Sequence, residues 1–243
     1  DRHMQAASRH ADYVALLREI APEVYDGELK PEIERRIARA ARVELQDLPL
    51  AIVHYEKLLD EAPEDAEALD ALVELNEKTG NHRALVIALK RKAELAREPA
   101  ARHALCMRQA EIHESKLDEP EQAMAVLQDV LAEGPAPAAF VALERLYTGA
   151  ERFSDLRELY ERELDRASGS TVELRHKLAL VFHRHLNDTH AALEQLRDAL
   201  TDGGSHEPSI ALLETIMAGD GEERGTAAEL LEPIYLGRML WPK

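Results

Sequence analysis

The chain has 243 residues, 45% of them hydrophobic but only 4% aromatic, with 30 basic against 47 acidic side chains and a net charge of −17. A surface that acidic repels phosphate backbones and lacks a basic stripe, which excludes DNA or RNA as the main ligand and disfavours anionic membrane surfaces. The lone Cys106 rules out an intramolecular disulfide and a cysteine-rich zinc site, and no apolar run is long enough to span a bilayer or to act as a secretory leader, so a cytoplasmic location is expected.

Taken in chain order, Asp1-Arg2-His3-Met4 resembles residue left by a cloning vector, and residues 1–7 are expected to lie outside the fold, disordered. Apolar spacing at i, i+3, i+4 then predicts helices over 8 to 24, 31 to 45, 49 to 62, 65 to 79 and 82 to 97. Pro31 and Pro49 fall at first turns, where a missing N–H is harmless, and Ala62-Pro63-Glu64-Asp65 stops one helix and begins another. Thr79-Gly80-Asn81 offers a left-handed cap followed by a restart. Further helices are predicted over 100 to 116, 120 to 133, 137 to 149, 153 to 167, 171 to 186, 190 to 201, 207 to 218 and 224 to 238, with Pro120, Pro137 and Pro208 again at first turns. Runs of β-branched residues of strand length are absent.

These helices repeat. Leu48 to Pro63 returns as Pro120 to Pro135, 72 residues on, and again near Thr189 to Gly203, a further 69 on. The small residue recurs as Ala51, Ala123 and Ala192, and the large apolar one as Tyr55, Leu127 and Leu196. A second series interleaves, Ala84 to Ala96 matching Asp155 to Ala167 at a shift of 71. One element therefore returns about every 35 residues, the mark of stacked helical repeats, in which each apolar stripe needs a neighbour to cover it.

In Ala51, Tyr55, Leu58 and Pro63, and again in Ala123, Leu127, Val130 and Pro135, the order and spacing resemble the second helix of a tetratricopeptide repeat. The first-helix pattern departs from that family: Leu72-Val73 stands where Leu-Gly is usual and Asn76 where Tyr is usual. The resemblance implies an all-α, right-handed superhelical solenoid of stacked antiparallel helix pairs, here one array of about six pairs over residues 8–243. It also implies a concave face of first helices that holds proteins or peptides.

No catalytic signature is present: the chain lacks a phosphate-binding glycine loop, a Gly-x-Ser-x-Gly and a His-Glu-x-x-His, and no cofactor or metal is expected. Cys106, between Leu105 and Met107, reads as a packed residue and not as a reactive thiol. His176, His183, His185 and His190 lack the i, i+4 pair that a helical metal site prefers and read as exposed histidines. One charge set is more orderly. Glu67, Asp70, Glu74 and Glu77 form an acidic stripe along a first helix, at positions the resemblance assigns to the groove, and this stripe suits a ligand with a basic segment.

The expected function is therefore that of a non-catalytic protein-interaction scaffold. The alternatives are a self-associating structural module of a larger protein and, third, a helical-repeat enzyme domain. Tyr13, Val14, Leu16, Leu17 and Ala21 stand in register with Leu85, Val86, Ala88, Leu89 and Ala93 of an internal helix. At the other end Ala228, Leu231, Ile234 and Tyr235 look internal, and Gly237 with Met239 to Pro242 reads as a turn into another unit. These patterns carry the expectation that the chain is an excerpt from a longer array and associates end to end.

Overall fold

The computed structural model describes residues 2–203 and 205–237. Among them are thirteen α-helices and no strand: α1 Arg2–Ile20, α2 Leu29–Val43, α3 Leu48–Glu61, α4 Ala66–Thr79, α5 His82–Leu95, α6 Pro99–Ser115, α7 Pro120–Glu133, α8 Pro137–Gly149, α9 Phe153–Arg166, α10 Val172–Arg184, α11 Thr189–Gly203, α12 Glu207–Ala218 and α13 Arg224–Gly237. Each predicted helix is present with small shifts at its ends. The largest shift is at the start, where α1 already runs from Arg2 and residues expected to lie outside the fold have helical backbone. The segment 239–242 lies outside the described residues.

The helix ends follow from local chemistry. Asp47, Asp65 and Asn81 cap α3, α4 and α5 by accepting hydrogen bonds from the backbone N–H groups of Leu50, Ala68 and Ala84 at 3.0, 2.8 and 3.3 Å. Gly80 takes φ +70° and closes α4, as its sequence context predicts.

A second kind of turn is less obvious from the sequence. Gln46, Asp118 and Asn187 all adopt the left-handed conformation, at φ 55°, 55° and 53°, between α2 and α3, α6 and α7, and α10 and α11. In each, the preceding leucine N–H reaches back into the finished helix: Leu45 to Ala40 O, Leu117 to Ile112 O and Leu186 to Val181 O, all at 3.1 Å. The following acidic residue does the same: Asp47 to Ala41 O, Glu119 to His113 O and Asp188 to Phe182 O. One hairpin turn therefore recurs in the register of the repeat.

The chain divides into two compact units, Asp1–Ala139 and Phe140–Lys243. In the first, Ala38, Ala41, Ala51 and Ala68 are fully buried, so neighbouring helices approach closely around Tyr55, Leu58, Leu69, Leu75 and Leu89. A smaller cluster, Val14, Leu17, Ala21, Ile33 and Ile37, joins α1 to α2, while Tyr13, Leu16 and Ile20 on the other side of α1 stay exposed. In the second unit the core is built from Leu143, Tyr147, Leu178, Leu193, Leu196 and Leu213. Within α13, Ala227 and Leu231 are buried, Ile234 and Tyr235 half-buried, and Ala228 exposed, so the buried stripe is narrower than the sequence pattern suggests. The recurrent positions are the core positions: Ala51, Ala123 and Ala192 have no exposed surface, and Tyr55, Leu127 and Leu196 have at most 1%. The structure is all-α, built of antiparallel helix pairs that resemble tetratricopeptide repeats.

Candidate functional site

The four acidic residues singled out by the sequence lie on α4, and their partners come from the helices beside it. Glu67 receives both Nε and Nη2 of Arg39 on α2, with Arg35 Nε 3.9 Å away. Glu74 receives Arg42 of α2 and, at 2.6 Å, Lys78 one turn on. Asp70 pairs with Lys92 of α5 at 2.5 Å, and Glu77 with Arg108 of α6 at 2.6 Å. Instead of an acidic strip facing an empty groove, α4 is the central rung of a ladder with cations on both sides.

The electrostatics follow the geometry. The hydrogen bond from Lys78, with the charge of Arg42 beside it, holds the Glu74 carboxyl below the usual range against a small burial penalty. Its bond to Glu67 raises Arg39. At the start of α4, burial alone would raise Asp65, but the Ala68 N–H and Arg35 outweigh it and keep the carboxylate ionised.

Sequence reasoning missed the cations, yet a signal was available. Arg39–Glu67, Arg35–Asp65 and Arg42–Glu74 are separated by 28, 30 and 32 residues, close to one repeat. Arg102–Glu133 and Glu144–Lys177 follow the same rule at 31 and 33. Opposite charges one repeat apart therefore mark stacked neighbours.

The four histidines do not converge. His185 stacks on Phe153, with ring centroids 3.6 Å apart, and His183 Nδ1 meets Thr189 Oγ1 at 3.1 Å. His176, expected to be exposed, is buried in α10, where its ring meets that of His206 edge-on at 5.3 Å. Burial, with His206 adding to it, pushes its pKa below the ordinary histidine value. Ser209 Oγ lies 2.8 Å from His206 Nδ1 and 3.4 Å from His176 Nδ1, and His206 Nε2 lies 3.3 Å from Glu173. These are the residue types of an acyl-transfer relay, but Ser209 has no exposed surface, so its hydroxyl ties α12 to α10 and meets no substrate. The Cys106 thiol is raised by burial, the opposite of an activated nucleophile. Among the described residues no group of three His, Cys, Asp or Glu is placed to hold a metal ion.

Two clefts in the first unit were not anticipated. One, of about 630 Å³, lies between α1, α2 and α3, and the buried pair Glu34 and His54, with Oε2 and Nδ1 2.5 Å apart, contributes to its lining. The other, of about 300 Å³, lies between α3 and α5 over α4, and Asn76 contributes to its floor. Asn76 is 1% exposed, and its Oδ1 has no hydrogen-bond partner among the described residues.

No family model and no curated protein matches the chain. Similar solved structures include MamA protein, at 20% identity and TM-score 0.37 over 72% of this chain and 92% of that one. The C-terminal part of a TPR repeat-containing protein from Cytophaga hutchinsonii is 13% identical, with TM-score 0.37 over 84% of this chain and 94% of that one. PilW, described as a widely conserved type IV pilus biogenesis factor, is 14% identical, with TM-score 0.30 over 82% of this chain and 98% of that one.

Proposed function

We propose that the chain is a non-catalytic scaffold that binds another protein, or a peptide segment of one, on the face formed by the first helices α2, α4 and α6. The observation that supports this reading is the ladder, in which neighbouring helices hold charges of both signs in fixed register while leaving them in reach of a ligand. Asp70 and Glu77 are the accessible rungs, their side chains 62% and 59% exposed, and each faces one cation at close range. Glu67 and Glu74 are more fully engaged, so a basic ligand segment docks first on Asp70 and Glu77 and shares their oxygens with Lys92 and Arg108. The reading of residues 8–243 as one array belongs to the same proposal and rests on the register that Ala51, Ala123 and Ala192 share.

Fluorescence anisotropy with labelled, end-capped basic and acidic octapeptides tests it. Glu67→Gln, Asp70→Asn, Glu74→Gln and Glu77→Gln together should weaken the basic peptide by about tenfold, an effect that shrinks as salt rises. Neutralising Glu158, Glu161, Glu163 and Asp165 removes the same charge elsewhere and should change little. Equal losses from the two sets would reduce the effect to net charge and end the proposal.

A further inference from the structure

The second helices of the repeat bury the same positions wherever they recur, except in α1. Leu85 and Ala88 of α5, and their counterparts Leu156 and Leu159 of α9, are at most 4% exposed. Tyr13 and Leu16, at the same register in α1, are 41% and 57% exposed, and Ile20 one turn on shares their face and is open too. The fold shows what covers these positions when they are covered. α2 stands to α1 as α6 stands to α5: Val14, Leu17 and Ala21 pack on Ile33 and Ile37 of α2, and the open strip lies on the side α2 does not reach. In α5 that side is taken by α4, whose Leu69, Leu72 and Leu75 share one buried cluster with Leu85 and Ala88. The complement of the α1 strip is therefore an α-helix with an apolar stripe, antiparallel to α1 as α4 is to α5.

Charge narrows the occupant. Asp12 and Glu19, two turns apart, edge the strip on the side away from α2, Glu19 standing between it and the cleft beside Glu34 and His54. Both are exposed and form no ion pair among the described residues. At this register α5 carries Ala84 and Arg91 and α9 carries Asp155 and Arg162, so of the three helices α1 alone has two acids there. On the other side of the strip, Arg36 of α2 is already engaged by Glu32 at 2.8 Å. A helix laid on the strip meets two bare carboxylates unless its facing edge is basic. The ends agree with the antiparallel sense: Arg9 lies where the occupant's C-terminal carbonyls fall, and Glu23 where its N-terminal N–H groups fall, and both are exposed. A second copy of this chain fits poorly, because at −17 each copy repels the other and brings its own acidic edge.

We propose that α1 carries a docking strip for an amphipathic helix of a partner protein, with apolar side chains on Tyr13, Leu16 and Ile20 and basic side chains, two turns apart, on Asp12 and Glu19. The strip is separate from the first-helix face and does not depend on it.

The probe is an end-capped helical peptide of about four turns, with leucines along one face and lysines on one edge of it, titrated into the 15N-labelled chain and followed by amide chemical shifts. Saturable shifts are expected at Asp12, Leu16, Glu19 and Ile20. Leu16→Glu, at an exposed position, should weaken binding about tenfold while the helical circular dichroism signal stays unchanged. Asp12→Asn with Glu19→Gln should weaken the lysine peptide by about tenfold and remove its salt dependence. A central proline, which breaks the peptide's helix and keeps its charge, should abolish the shifts. Neutralising Glu67, Asp70, Glu74 and Glu77 should leave the shifts on α1 in place, which separates the strip from the ladder. Equal binding of the proline peptide, or of one with glutamates in place of the lysines, would overturn the proposal, as would the absence of saturation at millimolar peptide. Shifts confined to Glu67 through Glu77 would assign the peptide to the ladder and overturn the strip alone. A chain that is dimeric without peptide and monomeric as Leu16→Glu would give the strip to a second copy and overturn the partner helix.

Discussion

At the scale of single residues, the turns at Gln46, Asp118 and Asn187 hold non-glycine residues at positive φ, where Cβ crowds the following carbonyl. Asp118 is exposed and its conformation is set by the turn alone, so it isolates this effect. Asp118→Gly should leave stability unchanged or raise it, whereas Asp118→Val should lower it by about 1–2 kcal/mol, read as a shift in the urea midpoint of the helical circular dichroism signal. His176 gives a second residue-scale prediction. Burial and His206 depress its pKa in the folded state, so the unfolded chain takes up the proton more readily. Its contribution is complete above the unfolded value of 6.5 and is lost as pH falls below it. Melting temperatures compared at about pH 7.5 and about pH 5.5 should show a drop that becomes smaller in His176→Gln. An unchanged drop would assign the acid sensitivity to other groups.

At the scale of elements, the ladder on α2, α4 and α6 contributes less stability than its number of bonds suggests, because the Arg39 and Glu67 side chains are 57% and 39% exposed. A double-mutant cycle with Arg39→Gln and Glu67→Gln should give a coupling of about 0.2–1 kcal/mol that declines with salt. The helices were legible because each apolar stripe has a helical period and each stop has a local cause, such as Gly80 or Pro63. The acidic stripe was legible as a stripe but not as a rung, since its partners Arg39, Arg42 and Arg108 lie on other helices. Helical spacing describes one element at a time; the partners follow only when charges are compared one repeat apart. Glu34 and His54 were in principle detectable as polar residues on apolar faces, beside Ile33 and Ile37 and beside Ala51 and Tyr55. Their mutual contact is a product of packing. Asn76 lies where the chain departs from the tetratricopeptide pattern, and it is buried under a cleft whose walls belong to two other helices.

At the scale of the molecule, the repeat carries through both compact units, because the residues that return at shifts of 72 and 69 are also the least exposed. What the repeat could not indicate is how surface charge is distributed. The net charge of −17 suggests a uniformly repelling surface, whereas in the first unit cations and carboxylates of neighbouring helices meet in pairs. Rising salt should therefore act in two directions, weakening the ladder while relieving the excess negative charge. The net slope of melting temperature against salt in wild type and in the Glu67→Gln, Glu74→Gln variant separates the two: the variant should gain more from salt than the wild type.

Because Arg39 and Glu67 belong to successive repeats, neither position is free to drift alone. A lineage that loses the arginine leaves Glu67 with only the more distant Arg35, 3.9 Å away, and the change is tolerated best when the other member changes with it. Across related chains, positions about one repeat apart should exchange sign together, so the stacking order of the helices is written into their shared history of substitution.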